Sequence, residues 1–546
     1  MQGVTMRFDV LSLILGWTLI AISIPLFLCS LITIWLDDFE MAMRAFLIPI
    51  ILSPTIGWLM LKFGTRSDTP ERLRDREAFA AVALIYPIVV FIGLFPYWLG
   101  GVFVGPFTVD ASLLDIARGA VNSWFESMSG FTTTGATVIS HNMSPNCIPD
   151  TTVDCINSQP RGILLWRSIT QWLGGMGIIM LGMMLLSRVM GGGMALARAE
   201  LTGPSLSRLR PKLKETAFAL WVIYICLTVV EMILLHFVGE MSLFDSINHG
   251  FTTMATGGFS TRDASIGYYD SLKVEIIIII FMFIGGINFT LIWFLIAREF
   301  IKAFADEEFK TYLVYIFTAV LFMMIALVST NISLGDSLRH SLFQSISIGT
   351  STGYTTQDYM TWPVLTQFVL MILMIVGACA GSTSGGLKLM RIILAFKVAM
   401  RELVRIAQPR KIKQIRMNGE VVEAQQIDKI VGMLFVWIGL FGISSILLAV
   451  LMLDESFESI IGITASSLGN TGPALGAYGP SSTWSPLNSG VLVFASFLMW
   501  FGRLELLTVV ILLHPRTWQD ENKEHSDRRA LALFKKLIPG KRSNSK

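Results

Sequence analysis

Four short polar stretches interrupt an otherwise very apolar chain: Phe131-Thr132-Thr133-Thr134-Gly135-Ala136-Thr137, Thr252-Thr253-Met254-Ala255-Thr256-Gly257-Gly258-Phe259-Ser260, Gly349-Thr350-Ser351-Thr352-Gly353-Tyr354-Thr355 and Ser467-Leu468-Gly469-Asn470-Thr471-Gly472-Pro473. A Thr-Gly step in each supplies Gly135, Gly257, Gly353 and Gly472. Chains of this kind bind a cation without a charged ligand, because rings of backbone carbonyls replace its hydration shell. Glycine is required where the loop must take dihedrals that crowd a Cβ. One such stretch alone reads as an external turn. Four copies, roughly one hundred residues apart, read as a duplicated unit far longer than a solenoid repeat.

The elements that hold these stretches are membrane elements. The 546 residues are 53% hydrophobic and 15% charged, against about 25% charged in a soluble domain. Ten apolar runs reach the length of a spanning helix, about 20 residues. They cover 10–36, 42–63, 78–99, 162–188, 216–239, 273–300, 309–331, 364–397, 427–453 and 488–513. The first is too long for a cleavable leader and is expected to be a retained span. The four polar stretches fall between runs three and four, five and six, seven and eight, and nine and ten. Each follows a mildly polar segment, and Phe125, Phe244, Phe343 and Phe457 open a Phe-Glu/Asp/Gln-Ser echo at uneven distances from the glycines. Irregular backbone at membrane depth survives only when buried in protein or lining a cavity.

The expected fold is therefore an all-α polytopic membrane protein, with two leading helices and four helix–pore loop–helix repeats around one pore. The divisions are 1–77 for the leading helices, 78–190, 191–301, 302–400 and 427–513 for the repeats, 401–426 for a basic loop and 514–546 for the tail. Lys and Arg set the orientation. Arg66 to Arg76, Arg188 to Lys214, Lys302 and Lys310, Arg401 to Arg416 and the tail from Arg516 fall on one side, expected to be cytoplasmic with both termini. The same basic stretches suit contact with anionic lipid or the docking of a cytosolic protein.

Other polar residues allow more than one role. Cys147 and Cys155 share the loop 140–159, and pair as a disulfide if it faces an oxidising compartment or stay as two thiols. Gly377-Ala378-Cys379-Ala380-Gly381-Ser382-Thr383-Ser384-Gly385-Gly386 interrupts the eighth run and makes a poor helix. It fits close helix packing or an unwound loop lining a cavity. Gly381 and Gly386 have phosphate-loop spacing, but Leu387 stands where lysine is needed, so no nucleotide is expected on this chain. Arg503 lies inside the last run, where an arginine is expensive and faces a cavity, a partner or the interface. Glu126, Asp245 and Glu458 are placed either to attract cations to an outer mouth or as buried, bonded carboxylates. Glu231, His236 and Glu275 read as interfacial, and Asn288 as an interhelical hydrogen bond. No nucleophile–base pair or metal-ligand spacing points to an enzyme, and nothing calls for a nucleic acid.

The motifs Thr-Thr-Gly-Ala-Thr, Ala-Thr-Gly-Gly-Phe-Ser, Ser-Thr-Gly-Tyr-Thr and Gly-Asn-Thr-Gly-Pro, in that order, resemble the Trk/Ktr/HKT potassium transporter superfamily over about residues 78–513. The two extra leading runs are most similar to its TrkH branch. The resemblance implies potassium uptake across a bacterial inner membrane, by a homodimer regulated by a cytosolic TrkA-type nucleotide-binding protein. It implies potassium-binding carbonyls at Thr133, Thr134 and Gly135; Ala255, Thr256 and Gly257; Ser351, Thr352 and Gly353; and Asn470, Thr471 and Gly472. A glycine in every loop goes with potassium rather than sodium preference, and the fourth loop departs most from the pattern. The resemblance also implies a gate at Gly377, Gly381, Gly385 and Gly386, with Arg503 beside it in the pore and Lys388 adding to its charge. Coupling of potassium entry to protons or sodium is the alternative.

Overall fold

A backbone in lipid must satisfy its amide groups internally, and helices do so within one segment. The computed structural model describes residues 8–64, 75–148, 153–176, 213–410 and 414–504, and among them only a two-stranded sheet accompanies the helices. The basic residues expected at 66–74 and 188–212, Lys411, Lys413, and everything from Glu505 onward lie outside the described residues.

Two leading helices, α1 (Phe8–Leu36) and α2 (Phe39–Gly64), pair antiparallel, with Gly16 against Gly57 and Gly64 against Leu13. A three-part order then recurs. α3 (Asp75–Gly93), extended by α4 (Phe95–Leu99), leads to α5 (Leu113–Phe131) and α6 (Arg161–Met176). α7 (Leu213–Phe237), α8 (Leu243–Met254) and α9 (Leu272–Gly285) follow, then two short helices, α10 (Phe289–Ile296) and α11 (Phe300–Ala305). Next come α12 (Glu307–Val328), α13 (Leu334–Gly349), α14 (Val364–Ile375) and α15 (Leu389–Ala407). The hairpin of β1 (Arg416–Met417) and β2 (Glu420–Val421) precedes α16 (Ala424–Leu451), α17 (Phe457–Gly469) and α18 (Ser489–Arg503).

Six of the described helices are long and apolar enough to cross a membrane, or seven if the bent pair α9–α10 counts as one. The run 273–300, expected as one span, is bent. It bends by 104° between Gly285 and Phe289, and Asn288 caps α10 by accepting from Thr290 N rather than bridging helices. The run 364–397 is broken at 376–388, and α14 and α18 fall below full spanning length. Lipid-facing chemistry is plainest on α16, where Phe435, Ile438, Ile446 and Val450 are exposed.

The four helices that precede the polar stretches share a start signal that the Phe-x-Ser echo does not capture. Ser112, Ser242, Ser333 and Ser456 each accept a hydrogen bond from the backbone N–H three residues on, at Asp115, Asp245, Asp336 and Ser459. A serine cap of this kind fixes where a helix begins. Their C-termini run straight into the four polar stretches, packed among Trp166, Trp484, Tyr354, Phe131 and Phe259, all fully buried.

Candidate ion pathway

Each of the four loops leaves its helix through one left-handed residue: Thr133 (φ 53), Thr256 (φ 51), Ser351 (φ 56) and Asn470 (φ 52). Two positions later each has a glycine at positive φ: Gly135 (φ 85), Gly258 (φ 76), Gly353 (φ 85) and Gly472 (φ 97). Between them, the amides of Thr134, Gly257, Thr352 and Thr471 all fold back onto the preceding helix, at Ser129, Thr252, Ser347 and Ser466. A single backbone conformation is built four times.

This geometry moves the second loop by one residue relative to the sequence reading. Gly258 occupies the place of Gly135, Gly257 that of Thr134, and Thr256 that of Thr133, while Ala255 caps the helix. A Thr-Gly match in the sequence aligns Gly257 with Gly135, but only a backbone angle distinguishes two adjacent glycines.

The four loops close on one another. A Cβ added to Gly135 would overlap the carbonyl oxygen of Gly257, one on Gly258 that of Thr352, and one on Gly353 that of Thr471. The ring shuts at Gly472, whose Cβ would lie 2.5 Å from the oxygen of Thr134. All four positive-φ glycines line one cavity of ≈ 250 Å³. Peptide oxygens therefore sit at each junction of a cyclic assembly, where only glycine leaves room for them.

The loops are also held from behind, by residues the motif search passed over. Ser129 donates to Ala136 O at 2.6 Å, Ser347 to Tyr354 O at 2.6 Å, and Ser466 to Gly472 O at 2.9 Å. Gln171 on α6 donates to Gly257 O at 2.6 Å and accepts from Phe259 N at 3.1 Å. The hydroxyl of Tyr354 in the third loop bonds to Thr252 on α8 at 2.5 Å. Asn470 breaks the symmetry, since its amide reaches Thr134 Oγ1 at 3.0 Å and Met499 O at 2.9 Å. A buried serine four residues before the left-handed position is the sequence signal for three of these ties, at Ser129, Ser347 and Ser466; the second loop has Thr252 there instead.

On one side of the ring, the cavity walls include Arg167 and Arg262. Glu126 is fully buried and accepts from Arg167 Nε at 2.7 Å, Thr137 Oγ1 at 3.0 Å and Val138 N at 3.2 Å. The Arg167 guanidinium also lies 3.5 Å from the Phe259 ring centroid. Asp245 accepts from Thr261 at 2.6 Å and faces Arg262 at 3.4 Å. These two acids are bonded and neutralised rather than open to solution, while Glu458 is exposed. Glu275, expected at the interface, is buried against Arg339 at 2.7 Å, and Glu231 is fully buried near Thr253. Cys147 and Cys155 form a disulfide with a Cα–Cα distance of 5.3 Å. Asp263 accepts from Cys155 N at 2.6 Å and Ile156 N at 2.9 Å, which pins the bridged loop beside the mouth. Burial raises the carboxyl pKa of neighbouring Asp154 above its ordinary value.

On the other side of the ring lies the loop 376–388. Its two ends meet, with Gly377 N donating to Leu387 O at 2.9 Å and Leu387 N to Ile375 O at 3.0 Å. Gly381 (φ 74) and Gly386 (φ 70) make its two left-handed turns. It docks on the bend after α9, where Cys379 N and Thr383 N donate to Gly286 O and Gly285 O. Thr383 Oγ1 donates to Met254 O at 3.1 Å, Gly385 N to Ser351 Oγ at 2.5 Å, and a Cβ on Gly385 would meet Gly469 O and Asn470. The loop thus touches the ends of α8, α13 and α17, where the second, third and fourth polar loops begin. Arg503 supplies the link to α6: it donates to Thr383 O at 2.8 Å and to Gly174 O and Gly175 O at 2.7 Å each. Lys388 is buried and donates to Ser384 O, so its ammonium sits within this loop.

Residues 107–524 match the family described as TrkH, cation transport protein. The chain is 34% identical over 522 residues to the Trk system potassium uptake protein TrkH of Escherichia coli (strain K12), covering 94% of this chain and 100% of that protein. It is 35% identical over 480 residues to the Trk system potassium uptake protein TrkH of Halomonas elongata, covering 86% and 92%. The crystal structure of the potassium transporter TrkH from Vibrio parahaemolyticus matches with a TM-score of 0.78 at 29% identity, over 94% of this chain and 100% of that one.

Proposed function

Because the chain belongs to the TrkH family of cation transport proteins, we propose that it is the ion-conducting subunit of a potassium uptake system in a bacterial inner membrane. The observation that carries this reading is the closed ring in which each loop's glycine faces the next loop's peptide oxygen. Potassium sheds water at the ring and is coordinated by carbonyls of Thr133, Thr134 and Gly135; Thr256, Gly257 and Gly258; Ser351, Thr352 and Gly353; and Asn470, Thr471 and Gly472. The C-termini of α5, α8, α13 and α17 end at the ring, and their partial negative charge favours a cation there. Membrane potential supplies about 2.3 kcal/mol per charge per 100 mV.

The loop containing Gly377, Gly381, Gly385 and Gly386 is the gate, and Arg503 holds it shut while placing a positive charge by the path. The units 78–190, 191–301, 302–400 and 427–513 form the pore, with 1–77 leading, 401–426 connecting and 514–546 trailing. Both termini lie in the cytoplasm, the working form is a homodimer, and a cytosolic nucleotide-binding protein of the TrkA type regulates it. The chain acts as a transporter and not as an enzyme. The test is potassium flux into liposomes holding only the purified chain. A selective flux that rises when 377–386 is shortened is expected, and a chain that stays silent in both forms refutes a gated pore.

One observation favours the second reading, potassium entry coupled to protons or sodium. Glu231 is a fully buried carboxyl on a spanning helix, beside the second pore helix. A buried ionisable group is what a coupling ion requires. A reversal potential set by potassium alone decides against it.

A further inference from the structure

Glu308, in the first turn of α12, is only 4% exposed. Its Oε1 accepts from Ala380 N at 2.7 Å and from Met390 N at 3.0 Å. Ala380 is the middle of the obstructing loop, and Met390 is the second residue of α15, so one oxygen ties the loop to the helix that follows it. Lys388, at the N-cap position of α15, makes no side-chain cap. Glu308 supplies the missing acceptor from another helix, the role an acidic group takes at a helix N-terminus.

The two residues before Glu308 grip a different element. Asp306 accepts from Phe309 N at 2.9 Å, which starts α12, and from Asn418 Nδ2 at 2.7 Å. Glu307 N donates to Asn418 Oδ1 at 2.8 Å, and its carboxylate accepts from Asn418 N at 3.1 Å and from Lys397 of α15. Asn418 (φ 51) and Gly419 (φ 82) are the tight tip of the β1–β2 hairpin. One helical turn therefore holds the hairpin by two residues and the obstructing loop by the next.

We propose that Glu308 is the positioning residue that latches the loop 376–388 across the ion path, and that the Asn418 hairpin tip braces the latch. This deepens the gated-pore reading and rests on it. The latch is a pair of hydrogen bonds from backbone N–H groups to one carboxyl oxygen, so moving α12's first turn or the hairpin releases loop and α15 together.

The test uses the full chain in liposomes without a partner, with Cys29→Ser and Cys226→Ser leaving buried Cys379 as the one unbridged thiol of the chain. Potassium flux and alkylation of Cys379 are read together. Glu308→Ala is expected to raise both about tenfold, equal to about 1.4 kcal/mol. Glu308→Gln, which keeps one acceptor oxygen, raises both less, and Asn418→Ala shifts both in the same direction. In a chain whose loop is shortened, Glu308→Ala adds nothing to flux. Folded Glu308 variants with unchanged flux and labelling, in a protein whose shortened loop does raise flux, overturn the latch and leave the gate standing. A lower melting temperature with no change in either readout overturns it too, because a cap that is only structural predicts that result. A shortened loop without effect removes gate and latch alike, and an Asn418→Ala variant without effect removes the hairpin from the coupling.

Discussion

The register of the second loop gives the sharpest test of the ring. Gly258→Ala places a side chain at φ 76 and drives its Cβ into the carbonyl of Thr352. The left-handed backbone costs about 1–2 kcal/mol. The overlap is with backbone of the neighbouring loop, which cannot rotate away, and overpacking of that kind adds about 1–3 kcal/mol. The sum, about 2–5 kcal/mol, lowers occupancy of the native ring by roughly 30- to 4,000-fold at 1.4 kcal/mol per decade. Gly257→Ala is different, because its Cβ would meet the side chain of Gln171, which can turn aside. The loss is then the two Gln171 hydrogen bonds, about 0.5–1.5 kcal/mol each. Adding Gln171→Ala should relieve Gly257→Ala and leave Gly258→Ala unrelieved. The assay is the potassium-to-sodium permeability ratio in liposomes, with a melting temperature to show that each variant is folded. Selectivity lost in Gly257→Ala but kept in Gly258→Ala refutes the structural register and, with it, the equivalence of the four junctions.

Arg503→Ala removes three hydrogen bonds and a positive charge beside the path, so basal potassium flux should rise; a folded but silent variant counts against the gate role. Arg503→Lys should behave nearer to Ala, because an ammonium cannot span carbonyls on two elements as a planar guanidinium does. Arg167→Ala leaves Glu126 buried without its charge partner, and should destabilise the protein by about 3–5 kcal/mol in a denaturation series; a shift below 1 kcal/mol would mean that the pair is dispensable. Cys147→Ser with Cys155→Ser opens a loop with a sequence separation of 8, which should cost about 2.5 kcal/mol by chain entropy, seen as a lower melting temperature with potassium selectivity retained.

Much was written along the chain. Low charge and long apolar runs fix residence in a membrane, because a hydrocarbon core rewards those residues wherever they later pack. The four Thr-Gly stretches and the ten small residues from Gly377 to Gly386 mark irregular backbone, because hydroxyls and glycines disfavour helix locally. The tertiary structure decided what local composition does not encode. Two adjacent glycines are identical in sequence, and only the φ of Gly258 assigns it to the ring. Run 273–300 has the hydropathy of a span, yet it bends between Gly285 and Phe289, where the carbonyls of Gly285 and Gly286 receive the amides of Thr383 and Cys379. Glu126, Asp245, Glu275 and Glu308 carry the same charge on paper, but three of them face an arginine and one holds backbone amides. Those partners lie from 17 to 82 residues away. Hydropathy is additive along a chain, whereas the fate of a buried polar group depends on which distant segment arrives to satisfy it.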